Sequence, residues 1–89
     1  MNYQHRESSQ FKKDYKNSIQ RKLPIELLDD IIRQLVRGET LDSSHRDHAL
    51  KGIYTGCREC HVQPDWLLVY RKQGNVIIFV RTGTHSDLF

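Results

Sequence analysis

Eighty-nine residues with 37 % hydrophobic content build one small core, so residues 1–89 read as a single domain with no room for a second domain or a deep cleft. Fourteen Lys and Arg against eleven Asp and Glu leave a net charge of +3, and no apolar run approaches the roughly 20 residues of a membrane span. The polar start Met1-Asn2-Tyr3-Gln4-His5-Arg6 has no apolar segment behind it, so no secretory signal is expected, the cytoplasm is the expected address, and two reduced cysteines go with it.

In chain order, residues 3–6 suit a short edge strand. Ser8 or Ser9 can cap a helix, and Phe11, Tyr15 and Ile19 then recur every four residues, predicting a helix over 9–22. Pro24 suits the first helical position, Ile25, Leu28, Ile31, Ile32, Leu35 and Val36 follow at helical spacing, and Gly38 stops a second helix predicted over 24–37. Almost no loop separates the two, so they form a hairpin on one core. Residues 39–50 are polar and read as a loop. Ile53–Tyr54, Cys57–Val62, Trp66–Tyr70 and Val76–Val80 read as strands, and their separators are too short for crossovers, so successive strands are antiparallel. The last two are continuous apolar runs, which predicts a central hairpin covered on both faces: one by the helices, the other by a partner. The fold class is α+β, an N-terminal helical hairpin packed on a small antiparallel sheet.

Charge is uneven. Residues 1–24 carry six cations and two anions, a local +4, and Lys12, Lys13 and Lys16 give the first helix a basic surface suited to a phosphate-rich partner or simply to solvent. Cys57-Arg58-Glu59-Cys60-His61 fits the attachment signature of a c-type haem, but the chain has one methionine, Met1, and the segment reads as a strand with no pocket for a macrocycle. Zinc held by Cys57, Cys60 and nearby histidines meets a second objection: neighbours in a strand point to opposite faces, so Cys60 and His61 do not share a metal easily. Two small reduced strand residues is the better reading, with no metal and no cofactor.

The remaining chemistry sits in the second half. Singly, His48 reads as a solvated loop residue, His61 as a strand-end histidine, Asp65 as a turn residue after Pro64, Arg81 as an edge cation, His85 as part of a turn and Phe89 as a tucked chain end. Jointly, they follow strand ends that a meander brings to one edge. Imidazoles take and give protons near neutrality, and the arginine fork matches phosphate oxygens.

Asp47-His48-Ala49-Leu50-Lys51-Gly52, Tyr54-x-Gly56, His61-Val62-x-Pro64-Asp65-Trp66, Tyr70 and Arg81-Thr82-Gly83-Thr84-His85 stand at the spacing of the YafQ-like branch of the RelE/ParE superfamily, which the chain resembles from about Ser9 to Phe89. Cys57 and Cys60 depart from that pattern, standing where an aromatic and a small residue are expected. The resemblance implies a toxin of a type II toxin–antitoxin system that cleaves mRNA in the A site of the 30S ribosomal subunit. The basic surface of Lys12, Lys13 and Lys16 then gains a task against ribosomal RNA backbone, with Lys51 a further candidate substrate contact, and the resemblance places catalytic positions on His48, His61, Asp65 and His85 and substrate contacts on Arg81 and Phe89. It further implies a cognate antitoxin, operator DNA contacted only through that antitoxin, and no membrane partner. Cleavage would use the ribose 2′-OH as nucleophile, without metal; proton transfer falls to His85 and one of His48, His61 or Asp65, unless Asp65 instead orients a histidine. The competing readings are a ParE-like gyrase poison and a zinc-binding module.

Overall fold

The computed structural model describes residues 2–89. The order is β1 (Gln4–Glu7), α1 (Ser9–Gln20), α2 (Ile25–Val36), β2 (His48–Ala49), β3 (Arg58–Gln63), β4 (Trp66–Gln73), β5 (Val76–Gly83) and α3 (His85–Leu88), with 3-10 turns at Ser43–His45 and Gly52–Tyr54. The α+β class and the helical pair hold. Ile53–Tyr54, expected to be extended, is instead a 3-10 turn, and the expected loop over 39–50 contains a second such turn and the two residues of β2.

The five strands lie in the order β1-β5-β4-β3-β2. β2 through β5 pair antiparallel with their neighbours, as their short connections require. β1 is the exception and joins β5 in parallel, making the sheet mixed. Both helices and the whole meander separate β1 from β5, so no tight turn dictates its direction. The β4–β5 turn is Gly74-Asn75, and Gly74 supplies the positive φ (60°) that a two-residue primed turn needs at its first position.

The Ser8 hydroxyl caps α1 by accepting from the Phe11 N–H and donates to the Val80 carbonyl, tying the helix start to β5. α1 ends at Gln20, where Lys22 takes a left-handed φ of 60°. Its buried face is Phe11, Asp14 and Ser18; Ile19, expected on the apolar stripe, is half exposed. Two polar residues therefore face the protein interior, a point the site explains. α2 begins at Ile25, with Pro24 as its cap rather than its first residue, and buries Leu28, Ile31 and Leu35. The Tyr15 hydroxyl donates to Asp29 across the pair; burial, then this bond, pushes the phenol up to about 12.

Beneath the helices lie Cys60, Val62, Trp66, Leu68, Tyr70, Ile77 and Phe79. The opposite face of the hairpin, expected to await a partner, is covered by the chain itself: Leu67 and Val69 pack with Cys57, Leu88, Leu50, Tyr54 and Val80. Cys57 and Cys60 thus serve the two faces of the sheet. Burial, with the Asp47 and Glu59 charges adding to it, pushes the Cys60 thiol up, so it stays protonated and inert.

Candidate active site

The helix-free face of the sheet, at the ends of β3–β5, gathers the histidines. Residues two apart on a strand share a face, so Glu59 and His61 project together. They pair with Val69 and Leu67 of β4, and His48 of β2 pairs with Glu59. β5 reaches the same face through a bulge. Phe79 stands opposite Tyr70 but Arg81 stands opposite Val69, so one extra residue flips the alternation and turns Arg81 away from the helix side.

Asp47 fixes the segment before β2. Its carboxylate accepts from Arg58 Nε at 3.0 Å and from the Tyr70 hydroxyl at 2.6 Å. His48 then lies with its ring 6.4 Å from that of His61, which is 5.9 Å from His85, which is 6.5 Å from Phe89. Tyr54 closes the row, edge-on to Phe89 at 5.3 Å, its hydroxyl donating to the Leu88 carbonyl. The turn-like stretch Gly83-Thr84-His85 leads into a single helical turn, His85–Leu88, with a capping box between Thr84 and Asp87. Buried Leu88 anchors it, and Arg21, the residue that caps the end of α1, donates to the Asp87 carboxylate, holding that carboxyl below the usual range.

Asp65 accepts two bonds from one residue: the His85 backbone N–H at 3.0 Å and the His85 ring Nδ1 at 2.7 Å. Since a carboxylate only accepts, Nδ1 carries the hydrogen and Nε2 is left open to the row. The backbone bond first, then the ring bond, holds the Asp65 carboxyl below its ordinary value. Its folded value lies below the unfolded one, so the Asp65–His85 attachment is fully present above about pH 4 and is lost as pH falls through the lowered value. A carboxyl-carbon NMR titration is expected to show Asp65 ionising below the ordinary aspartate range, and His85→Ala to move it upward. An Asp65 that titrates normally in the wild type contradicts the attachment.

Glu59 is a site residue that sequence reading passed over. It is 5 % exposed, and one carboxylate oxygen, Oε1, is buried without a hydrogen-bond partner among the described residues. Its Oε2 lies 3.2 Å from His48 Nε2 and 3.8 Å from His61 Nε2. His48 Nδ1 already faces the Arg46 carbonyl at 2.6 Å and must donate to it. The Nε2–Oε2 contact is therefore a hydrogen bond only with a proton between the two atoms, and it sets Glu59 and His48 side by side next to His61. The signal was available: a lone acid two residues before a strand histidine.

Arg81 sits at the margin of the row. Its Nε and one terminal nitrogen donate to Asp14 at 2.7 and 3.3 Å, around the part of β5 that β1 leaves unpaired, and the Tyr54 hydroxyl lies near it. Asp14 also accepts from the Thr82 N–H and from Gln10. This is why α1 keeps a carboxylate on its buried face. Lys51 is exposed beside the turn that carries Tyr54, and no ion pair or hydrogen bond among the described residues joins its side chain to the row. Lys12, Lys13 and Lys16 stay exposed on α1, outside the row. Among the described residues, no three His, Cys, Asp or Glu side chains are arranged to hold a metal ion.

The model of a bacterial toxin family, the YafQ toxins of type II toxin–antitoxin systems, matches residues 3–89. The chain belongs to the YafQ toxin family. Among curated relatives, the mRNA interferase toxin YafQ of Escherichia coli is 36 % identical over 83 residues, covering 92 % of this chain and 90 % of the relative. The crystal structure of Escherichia coli YafQ superposes with a TM-score of 0.94 at 33 % identity, over 98 % of both chains. YafQ in the Escherichia coli DinJ–YafQ toxin–antitoxin complex gives 0.92 at 33 % identity, over 100 % of this chain and 99 % of the other. Family membership accounts for the mixed sheet and the paired helices together.

Proposed function

We infer that this YafQ-family protein is the endoribonuclease toxin of a type II toxin–antitoxin pair, cutting mRNA on the ribosome. One observation carries the reading: the Asp65-oriented His85 ring, with Nε2 open, in a row with His61, His48 and Phe89. Its YafQ relative is named an mRNA interferase, which supports the same activity.

RNA supplies the nucleophile. A base takes the 2′-OH proton, the oxygen attacks the adjacent phosphorus, and an acid protonates the departing 5′ oxygen. Two imidazole stations are needed, one on each side of the phosphate, and the 5.9 Å between the His61 and His85 rings supports assigning them to His85 and the His48–His61 pair. In this reading the Glu59–His48 pair serves the acid side, and His85, kept in one tautomer by Asp65, is the other station. Arg81 contributes fixed positive charge to the phosphorane, and anchoring by Asp14 preorganises it. Phe89, 60 % exposed, offers its ring to an unstacked base, and Lys51 a cation to the backbone.

The test is mRNA end mapping after induction. In-frame cuts that leave a 5′-OH, and that a single 2′-deoxy substitution at the cut nucleotide blocks in purified translating ribosomes, are the expected result. Growth arrest without cuts points instead to gyrase poisoning. The basic surface of α1 fits ribosomal RNA backbone: changing Lys12, Lys13 and Lys16 together to Gln weakens ribosome co-sedimentation and flattens its salt dependence. Unchanged binding assigns those lysines to solvent. An antitoxin partner, by analogy with the DinJ–YafQ complex, restores growth when co-expressed; operator binding by the pair would run through the antitoxin.

A further inference from the structure

The row of rings provides for only one of the two bases that flank a cut phosphate. Phe89 and Tyr54 lie at the His85 end. Beside His61, the structure holds a cavity of about 360 Å³ between the 3-10 turn Ser43–His45 and the β3–β4 turn, lined by His45, Arg46, His61, Val62, Gln63 and Pro64. That volume is at the small end of ligand pockets, enough for one nucleotide and not for a longer segment.

Its lining is suited to a base. Val62 and Pro64 give apolar surface, and the His45 ring is held in place by donating Nδ1–H to the His61 carbonyl at 2.7 Å. With Nδ1 committed as donor, neutral His45 offers Nε2 as an acceptor. The Gln63 amide carries both donors and an acceptor and bonds to no other group among the described residues; neither does the Arg46 guanidinium. Arg46 itself adopts a left-handed φ of 49°, and its carbonyl is held by His48 Nδ1. One residue thus supplies both the cavity wall and the orientation of a site histidine. Unpaired edge-reading groups over an apolar floor, sharing His61 with the reaction site, are the parts that single-stranded RNA recognition uses.

We propose that this cavity seats the nucleotide next to the scissile phosphate on the His61 side, and that Gln63 and Arg46 read its base and so set the sequence preference of cleavage. The proposal rests on the ribonuclease reading above, and its test separates the two. Wild type, Gln63→Leu and Arg46→Gln are induced separately, and 5′-OH ends are sequenced across all transcripts. The expected result is a wild-type preference at one nucleotide beside the cut, with the ratio of cuts at favoured over disfavoured bases falling roughly tenfold in each variant, the scale of one lost base contact. Unchanged ratios in both variants, or a wild type with no preference beside the cut, overturn the subsite alone. Loss of every cut in both Gln63→Leu and Gln63→Asn, with native circular dichroism, also overturns it by placing Gln63 in the chemistry. A wild type that leaves no 5′-OH ends overturns the ribonuclease reading as well.

Discussion

His85→Ala is expected to fold and melt like the wild type while cutting mRNA at least about 100-fold more slowly, the usual contribution of one positioned acid or base. The His85 side chain is 55 % exposed, so its removal opens no cavity, and the backbone N–H of residue 85 still donates to Asp65. The loss therefore belongs to the chemistry. Asp65→Asn makes the companion measurement. The amide oxygen can still accept from the backbone, but it presents no charge to the ring and no longer fixes Nδ1 as the donor, so cleavage falls while substrate affinity holds. A split in which kcat drops and KM does not is the signature of an orienting carboxylate. A fully active His85→Ala protein removes the residue from the mechanism, and a drop confined to KM assigns it to binding.

The Asp65–His85 attachment was within reach of sequence, because Asp65 lies in a strand turn and His85 follows the last strand. The two helices were equally legible: α2 carries a full apolar stripe with a glycine stop. Three features were not, each for a physical reason. The bulge at Val80 moves Arg81 to the other face, and strict alternation had no way to foresee an extra residue. β1 pairs in parallel with a strand about seventy residues away, a contact that no local pattern encodes. The face opposite the helices, for which two continuous apolar runs predict a partner, is filled by Leu88 and the Leu50–Cys57 segment; a one-turn helix and a 3-10 turn are too short to show a period. Glu59 carries no signal as a single residue. Its meaning lies in sharing a strand face with His61 and a rung with His48.

Asp14→Ala is expected to cost a large share of the stability of so small a domain. Asp14 is 6 % exposed and accepts from Arg81, the Thr82 N–H and Gln10, so its removal leaves a guanidinium and a buried backbone donor without their partner. Breaking a buried pair from one side costs about 3–5 kcal/mol; with Arg81 24 % exposed and able to recover some water, the low end, about 3 kcal/mol, applies. For a domain of this size that lowers Tm by roughly 15 °C. Cleavage is expected to fall too, because Arg81 then swings free of the row. The double variant Asp14→Ala with Arg81→Met distinguishes the effects. Removing the stranded charge restores part of the lost stability, since an apolar side chain at Arg81 needs no counter-ion, but restores no cleavage. If Arg81→Met alone left cleavage intact, the guanidinium would be a structural tie between α1 and β5 and nothing more. If the double variant were no more stable than Asp14→Ala, the cost would lie with the Thr82 N–H, and Asp14 would be above all the cap of an unpaired strand edge.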